Sequence, residues 1–323
     1  MVEFYPLFQK IKEEAVKARS AIVISHQNPD GDAIGSLLGM SYFLDQNEVM
    51  HELFCASPIP EYLKFLPNVE RITNNDEVLL TREYDLIIIL DSGDLKYAGV
   101  DMHFRSIKGL PIVINIDHHP TNTLFGHINL VHSKASSTAE IIFHLLDHYR
   151  HPITKEVATS LLTGILTDTG GFANLGTTSS SLEVSSRLVA QGARIREVIT
   201  NTFRNKPLKQ LQLWGRALSR LKEDPKTGIV TTVLLKGDFE ELGIDEESTE
   251  GISNFLNNVE HAKAIIVLRE KADGTIKGSL RTTQPDVDVS AIAKFFGGGG
   301  HKKAAGFTVK GRIVQTNLGW KIE

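Results

Sequence analysis

Apolar and polar positions change period along the first two thirds of this chain. The runs AIVIS (21–25), DLIIIL (85–90) and PIVINI (111–116) are short, rich in β-branched residues and apolar on both faces. That is the pattern of strands buried in a parallel sheet. Between and after them, apolar residues recur at helical spacing in AIGSLLGMSYFLDQ (33–46) and across about 137–148 and 154–167. The stripes within 33–44 and 141–146 read as core faces. From 21 to about 191 the alternation predicts an α/β domain with helices flanking a mostly parallel sheet.

The pattern then breaks. GARIREVITNTFRNKPLKQ is polar and charged and contains Pro207, which marks a connector with helical spacing. Beyond it, GIVTTVLLK, AKAIIVLRE and TIKGSLRTT read as strands, with Ala272-Asp273-Gly274 as the turn between the last two. A helix-like DVSAIAKFF leads into Gly297-Gly298-Gly299-Gly300-His301. The expected organisation is a domain at 1–190, a helical linker at 191–207 and a smaller α+β domain at 208–323.

Composition narrows the class. The 323 residues are 41% hydrophobic and 23% charged, as in ordinary globular proteins. A net charge of -4 gives no basic footprint for long duplex nucleic acid, so a nucleic-acid ligand would be short or held by a local positive cluster. One cysteine, Cys55, excludes an internal disulfide and fits a reducing compartment. There is no secretory h-region and no apolar run of about 20 residues. A soluble, cytoplasmic protein with no membrane association is expected.

Candidate chemistry sits at the ends of the apolar runs. His26-Gln27-Asn28-Pro29-Asp30-Gly31-Asp32 follows the first, Asp91-Ser92-Gly93-Asp94 the second and Asp117-His118-His119 the third, while Asp168 closes a helical pattern in TDTGGF. Consecutive parallel strands present their carboxyl ends to one crevice. Carboxylates gathered there repel unless positive charge lies among them, and divalent cations are the usual answer. Gly31 is expected to allow a tight turn so that His26, Asp30 and Asp32 converge. A mixed His/Asp set suits Mn²⁺ better than Mg²⁺. Asp91 can bridge two cations, and Asp117 can orient an imidazole. Two such ions activate water and clamp a phosphate, with no covalent enzyme intermediate. In the second domain, the bare backbone of GGGGHKKAAG with His301, and the planar fork of Arg281, suit a phosphate, while Lys302 and Lys303 read as plain solvated surface.

These motifs, in this order, resemble the DHH phosphoesterase superfamily, with Asp117-His118-His119 as the name-giving triplet and Gly297–Gly306 as the signature of its DHHA1 domain. Among its members the size is most similar to the bifunctional oligoribonuclease and pAp phosphatase (NrnA-like) group. Type II inorganic pyrophosphatases share the first-domain motifs but carry a different C-terminal domain.

The resemblance implies one metal on His26, Asp30 and Asp91, and a second on Asp32, Asp91, His118 and Asp168, most often Mn²⁺. It implies His119 at the phosphate, and Arg281, Gly298, Gly299, Gly300 and His301 on the substrate across an interdomain cleft. The expected reaction is hydrolysis of short single-stranded oligonucleotides and of the 3′-phosphate of pAp, by attack of metal-bound hydroxide. Cyclic dinucleotides or linear pApA and pGpG are the alternative substrates. A homodimer is compatible with the resemblance. The tail KGRIVQTNLGWKIE does not read as the long amphipathic helix expected at the end of such a domain.

Overall fold

A computed structural model describes residues 2–104, 106–108, 111–245, 249, 251–300, 302–316 and 319–323. The chain divides by internal packing into two compact units, Met1–Asn205 and Lys206–Glu323.

The first unit is built on β1 (Ser20–Ser25), β2 (Met50–Phe54), β3 (Ile72–Thr73), β4 (Leu86–Leu90), β5 (Ile112–Asp117) and β6 (Ile128–Val131). Their order is β3-β2-β1-β4-β5-β6, and every neighbouring pair is parallel. The chain winds outward from β1 to β3, then returns to the other side of β1 for β4. This reversal is a switch point, and in open parallel sheets ligands bind outside the carboxyl ends of the strands at such a point, here β1 and β4. Period-two alternation explains the unbroken apolar runs. Val23, Ile88 and Ile114 enter a core on one face of the sheet, while Ile22, Ile24, Ile87 and Ile89 enter a core on the other.

Helices α1 (Tyr5–Lys17), α2 (Gly31–Gln46), α3 (Glu77–Thr81), α4 (Asp101–Phe104), α5 (Thr138–His148), α6 (Lys155–Asp168), α7 (Ser179–Ala190) and α8 (Ile195–Thr202) complete the unit. Ser137 and Thr154 cap α5 and α6 through their side chains, which is why those helices start where the sequence pattern places them. Val198 of α8 is buried in the first unit's core, so the helical part of the segment read as a linker packs with this unit.

The pairing of α2 on α6 depends on glycine. A Cβ on Gly31 would lie 2.4 Å from Thr167 Oγ1, on Gly35 2.4 Å from Ser160 O, and on Gly39 2.7 Å from Leu161 Cδ2. Three glycines four residues apart therefore form one flat stripe along α2. Gly31 is the first residue of α2, not a turn. Its lack of a side chain serves helix packing, which corrects the expected role in a tight turn.

The second unit carries α9 (Leu208–Ser219), β7 (Lys222–Asp224), β8 (Ile229–Leu234), α10 (Lys236–Leu242), α11 (Ile252–Phe255), β9 (Ala264–Glu270), β10 (Thr275–Arg281), α12 (Val289–Phe295), β11 (Gly299–Gly300) and β12 (Ala304–Lys310). Its sheet runs β11-β12-β10-β9-β8-β7, with β8 and β9 parallel and the other neighbours antiparallel. In the tail, β13 (Ile313–Thr316) pairs antiparallel with β14 (Gly319–Ile322). Among the described residues, no helix is long and apolar enough to cross a membrane.

Candidate active site

The site collects at the switch between β1 and β4. His26 follows β1, Asp91 follows β4, and Asp117 ends β5 with His118 and His119 just beyond. Asp30 caps α2 by accepting the amides of Asp32 at 2.9 Å and Ala33 at 3.1 Å, which fixes the loop between His26 and Asp32. The α2–α6 pairing brings the other end of α6, and with it Asp168, to the start of α2. Gly170 and Gly171 take left-handed φ of +59° and +68°, which ends α6 sharply beside Asp168.

Ligand-type atoms of His26, Asp30 and Asp91 lie within 4.8 Å of one another, and so do those of Asp32, His118 and Asp168 and those of Asp91, His118 and His119. The two oxygens of Asp91 face different halves of the cluster. Oδ2 lies 3.4 Å from His26 Nε2, and Oδ1 lies 3.6 Å from His118 Nε2. His118 Nε2 is also 3.1 Å from Asp168 Oδ2 and 4.0 Å from Asp32 Oδ2. His26 donates from Nδ1 to Gln27 O at 2.8 Å, which turns Nε2 toward the carboxylates. Asp91 holds φ at +55°, a sparsely populated region for a side chain other than glycine.

A surrounding shell holds these groups. Asp32 accepts the amides of Thr138 at 2.6 Å and Ala139 at 2.8 Å and the hydroxyl of Ser36 at 3.2 Å. Thr138 Oγ1 donates to Asp91 Oδ1 at 3.0 Å. His119 Nδ1 donates to Asp117 Oδ1 at 2.8 Å, and Asn122 donates to Asp117 Oδ2 at 2.6 Å and to Asn115 Oδ1 at 2.7 Å. Asn115 Nδ2 in turn reaches Ile89 O and Ser92 O. Sequence reasoning missed Thr138, Asn115 and Asn122. A lone Asn inside the buried run PIVINI was the available signal for one of them.

Electrostatics report an excess of acid. Burial, then the charges of Asp91 and Asp168, push Asp32 well above the usual carboxylate range. Burial pushes Asp168 up to about 6 despite His118, with Asp30 and Asp91 adding to the rise. Burial opposes charge on His26, but Asp30 and Asp91 outweigh it and hold the imidazole up to about 12. His118 is raised well above its ordinary value because Asp168, Asp91 and Asp32 overcome the same burial penalty. Asp117 is lowered because His119 and Asn122 outweigh its burial. Among the described residues, only histidines pair with Asp30, Asp32, Asp91, Asp117 and Asp168 at ion-pair distance. Nitrogen and carboxylate donors so arranged, without lysine or arginine to neutralise them, fit divalent cations.

The other expected substrate residues belong to the second unit. Arg281 ends β10, donates from Nε to Asn254 Oδ1 at 3.1 Å, and is lowered by burial. Gly298 and Gly300 have a packing reason to be glycine. A Cβ on Gly298 would lie 2.2 Å from Gly306 O, and on Gly300 2.6 Å from Ala305 Cα, whereas Gly299 has nothing within 4 Å. His301 lies outside the described residues.

A doubly wound parallel sheet with a His/Asp cluster suited to cations at its switch point defines the class. The DHH family, N-terminal domain, matches residues 20–165, and the DHHA1 domain matches 226–318. The chain is 34% identical over 90% of its length, and 84% of the relative's, to the bifunctional oligoribonuclease and PAP phosphatase NrnA of Thermus thermophilus. It belongs to the DHH family. It is also 27% identical, over 94% of its length and 46% of the relative's, to the cyclic-di-AMP phosphodiesterase PdeA of Listeria monocytogenes. An exopolyphosphatase-related protein of Bacteroides fragilis has a crystal structure that superposes with a TM-score of 0.86 at 28% identity, covering 94% of this chain and 90% of that one.

Proposed function

We propose that this protein is a divalent-cation-dependent phosphoesterase that hydrolyses short single-stranded oligonucleotides to mononucleotides and removes the 3′-phosphate of pAp. The observation that carries the reading is Asp91, whose two oxygens face His26 on one side and His118 on the other. One ion would be held by His26, Asp30 and Asp91, and a second by Asp32, Asp91, His118 and Asp168. The mixed nitrogen and oxygen set favours Mn²⁺. When bound, such a pair supplies an acidified water and neutralises charge on the phosphate.

The chain's own groups do the positioning. Thr138 and Ala139 fix the Asp32 carboxylate, Thr138 fixes Asp91, and Asp117 orients the ring of His119, which we assign to the substrate phosphate. Arg281, Gly298, Gly299, Gly300 and His301 are assigned to the nucleotide. The resemblance to a relative named for both activities, over most of both chains, supports this substrate pair. The relative named for cyclic di-AMP hydrolysis is matched over less than half of its length and supports the second reading less.

The deciding experiment is a time course on labelled RNA of about 2 to 24 nucleotides, with pAp, pApA and cyclic di-AMP in parallel, in Mn²⁺ and in EDTA. Rapid loss of the shortest RNAs and of pAp in Mn²⁺ alone is expected. Turnover confined to cyclic di-AMP and pApA would move the assignment to the second reading. Full turnover after exhaustive chelation would remove the cation from it.

A further inference from the structure

We infer that Tyr97 binds the substrate, its phenol hydroxyl donating a hydrogen bond to a phosphate oxygen. The inference rests on the phosphoesterase reading and adds to it a contact that neither the motifs nor the cation cluster contains.

Tyr97 lies in the loop after β4, and that loop is tied to the site from two sides. Its amide donates to Asp94 Oδ1 at 2.7 Å, and its carbonyl accepts the Gln27 amide at 3.1 Å, next to His26. Two residues on, a Cβ on Gly99 would lie 2.8 Å from the Ala56 methyl and 3.2 Å from Gln27 Cβ, so the loop is seated closely against its neighbours. The backbone of Tyr97 is therefore fixed by the same segment that presents His26.

The ring stacks on His26 with centroids 4.9 Å apart and planes 25° apart, and meets His119 edge-on at 6.4 Å and 69°. It thus spans the imidazole assigned to a cation and the imidazole assigned to the phosphate. Tyr97 is 45% exposed beside these two rings. Its hydroxyl has no hydrogen-bond partner among the described residues.

The chemistry of the pocket favours a phosphate over other occupants of that hydroxyl. Phosphate oxygens accept and do not donate, and the carboxylates that dominate the site also only accept. Thr138 Oγ1 is committed to Asp91 and His119 Nδ1 to Asp117. The Tyr97 phenol is a donor committed to neither. One face of its ring already lies on His26, which makes stacking of a nucleobase the lesser use of this side chain.

The test compares Tyr97→Phe and Tyr97→Leu with wild type as Mn²⁺-loaded full-length proteins. Steady-state kinetics on pAp and on a dinucleotide are read beside Mn²⁺ affinity by electron paramagnetic resonance and AMP affinity by calorimetry. A hydrogen bond to a charged group predicts that Tyr97→Phe loses about 10- to 100-fold in kcat/KM and weakens AMP, with Mn²⁺ affinity unchanged.

Wild-type kcat/KM and AMP affinity in Tyr97→Phe would overturn the inference, including the case where only Tyr97→Leu is impaired, which would mean ring packing or base stacking. A parallel fall of Mn²⁺ affinity in Tyr97→Phe would also overturn it, because the residue would then act through His26. A wild-type protein inert on both substrates would count against the phosphoesterase reading instead. The AMP titration would still decide the hydroxyl in that case.

Discussion

The Asp32 carboxylate and the Thr138 amide, 106 positions apart in the chain, meet at 2.6 Å in a fully buried contact. With the Ala139 amide it seats an acid on the N-terminus of α5, where unpaired backbone N–H groups and the helix dipole favour negative charge. The same Thr138 reaches Asp91 through its hydroxyl. One helix start therefore positions two acids from different elements, one in the first turn of α2 and one just after β4.

Thr138→Val keeps the amide and removes the hydroxyl, so it isolates the bond to Asp91. Stability should fall by about 1 kcal/mol in urea titrations. Cation affinity should weaken by about 10-fold or more, as when a metal ligand loses its outer support. Unchanged Mn²⁺ affinity would show that Asp91 is oriented without Thr138.

Asp91→Asn keeps size and an oxygen that can accept from Thr138, but removes the charge shared by the two halves of the cluster. Turnover should drop by at least ~10²–10³-fold, the scale of losing a preorganised electrostatic group. The circular dichroism spectrum should stay that of wild type. Substantial Mn²⁺-dependent activity in this variant would exclude a bridging role.

Much of this site is legible in the sequence because each motif abuts an apolar run whose strand character is unmistakable. AIVIS, DLIIIL and PIVINI become β1, β4 and β5, and the residues after them converge as the parallel arrangement requires. What escaped is long-range or lacks a periodic signal. Thr138 looks like an ordinary helix start, because its contact to Asp91 spans 47 positions. The short β3 and β6 are edge strands with little burial to imprint a pattern. Gly31 was legible as a glycine that matters, but its reason is contact with α6, which only the packed helices reveal.

Gly35→Ala tests that packing. Alanine in an exposed helix interior usually gains about 1 kcal/mol over glycine. Here the new Cβ would lie 2.4 Å from the Ser160 carbonyl oxygen, and a backbone atom cannot rotate aside. A net loss of roughly 1–3 kcal/mol is expected, with weaker cation binding because α2 and α6 carry Asp32 and Asp168. A more stable protein would show that the two helices separate at little cost.

Glu140 sets an acid limit on stability. Its side chain is almost fully buried, and it accepts from Ser136 N at 2.8 Å, Ser136 Oγ at 2.7 Å and Ser180 Oγ at 2.5 Å. Burial alone would raise it, but His144, Ser180 and Ser136 outweigh that and lower it from 4.5 to about 2. A folded value below the unfolded one contributes stability that is complete above about pH 4.5 and is lost as pH falls through about 2. The contribution is roughly 3 kcal/mol from the shift. Glu140→Gln should be less stable than wild type at neutral pH, and the gap should close toward pH 2 in urea titrations. A gap that is constant with pH would assign the loss to packing.

Cation binding should displace protons. His26 is held up to about 12 by Asp30 and Asp91 against its burial, and Asp168, Asp91 and Asp32 raise His118 as well, so the metal-free cluster favours the protonated form of both rings. An imidazolium cannot ligate, so each ring must lose its proton before it binds. Lowering pH adds protons that compete with the cation, and apparent affinity should fall, whereas raising pH should strengthen it. Calorimetric titrations of Mn²⁺ in buffers of different ionisation enthalpy should show net proton release, and His26→Ala should release fewer protons than wild type. Binding with no buffer-dependent heat would mean that these nitrogens are already deprotonated in the metal-free protein.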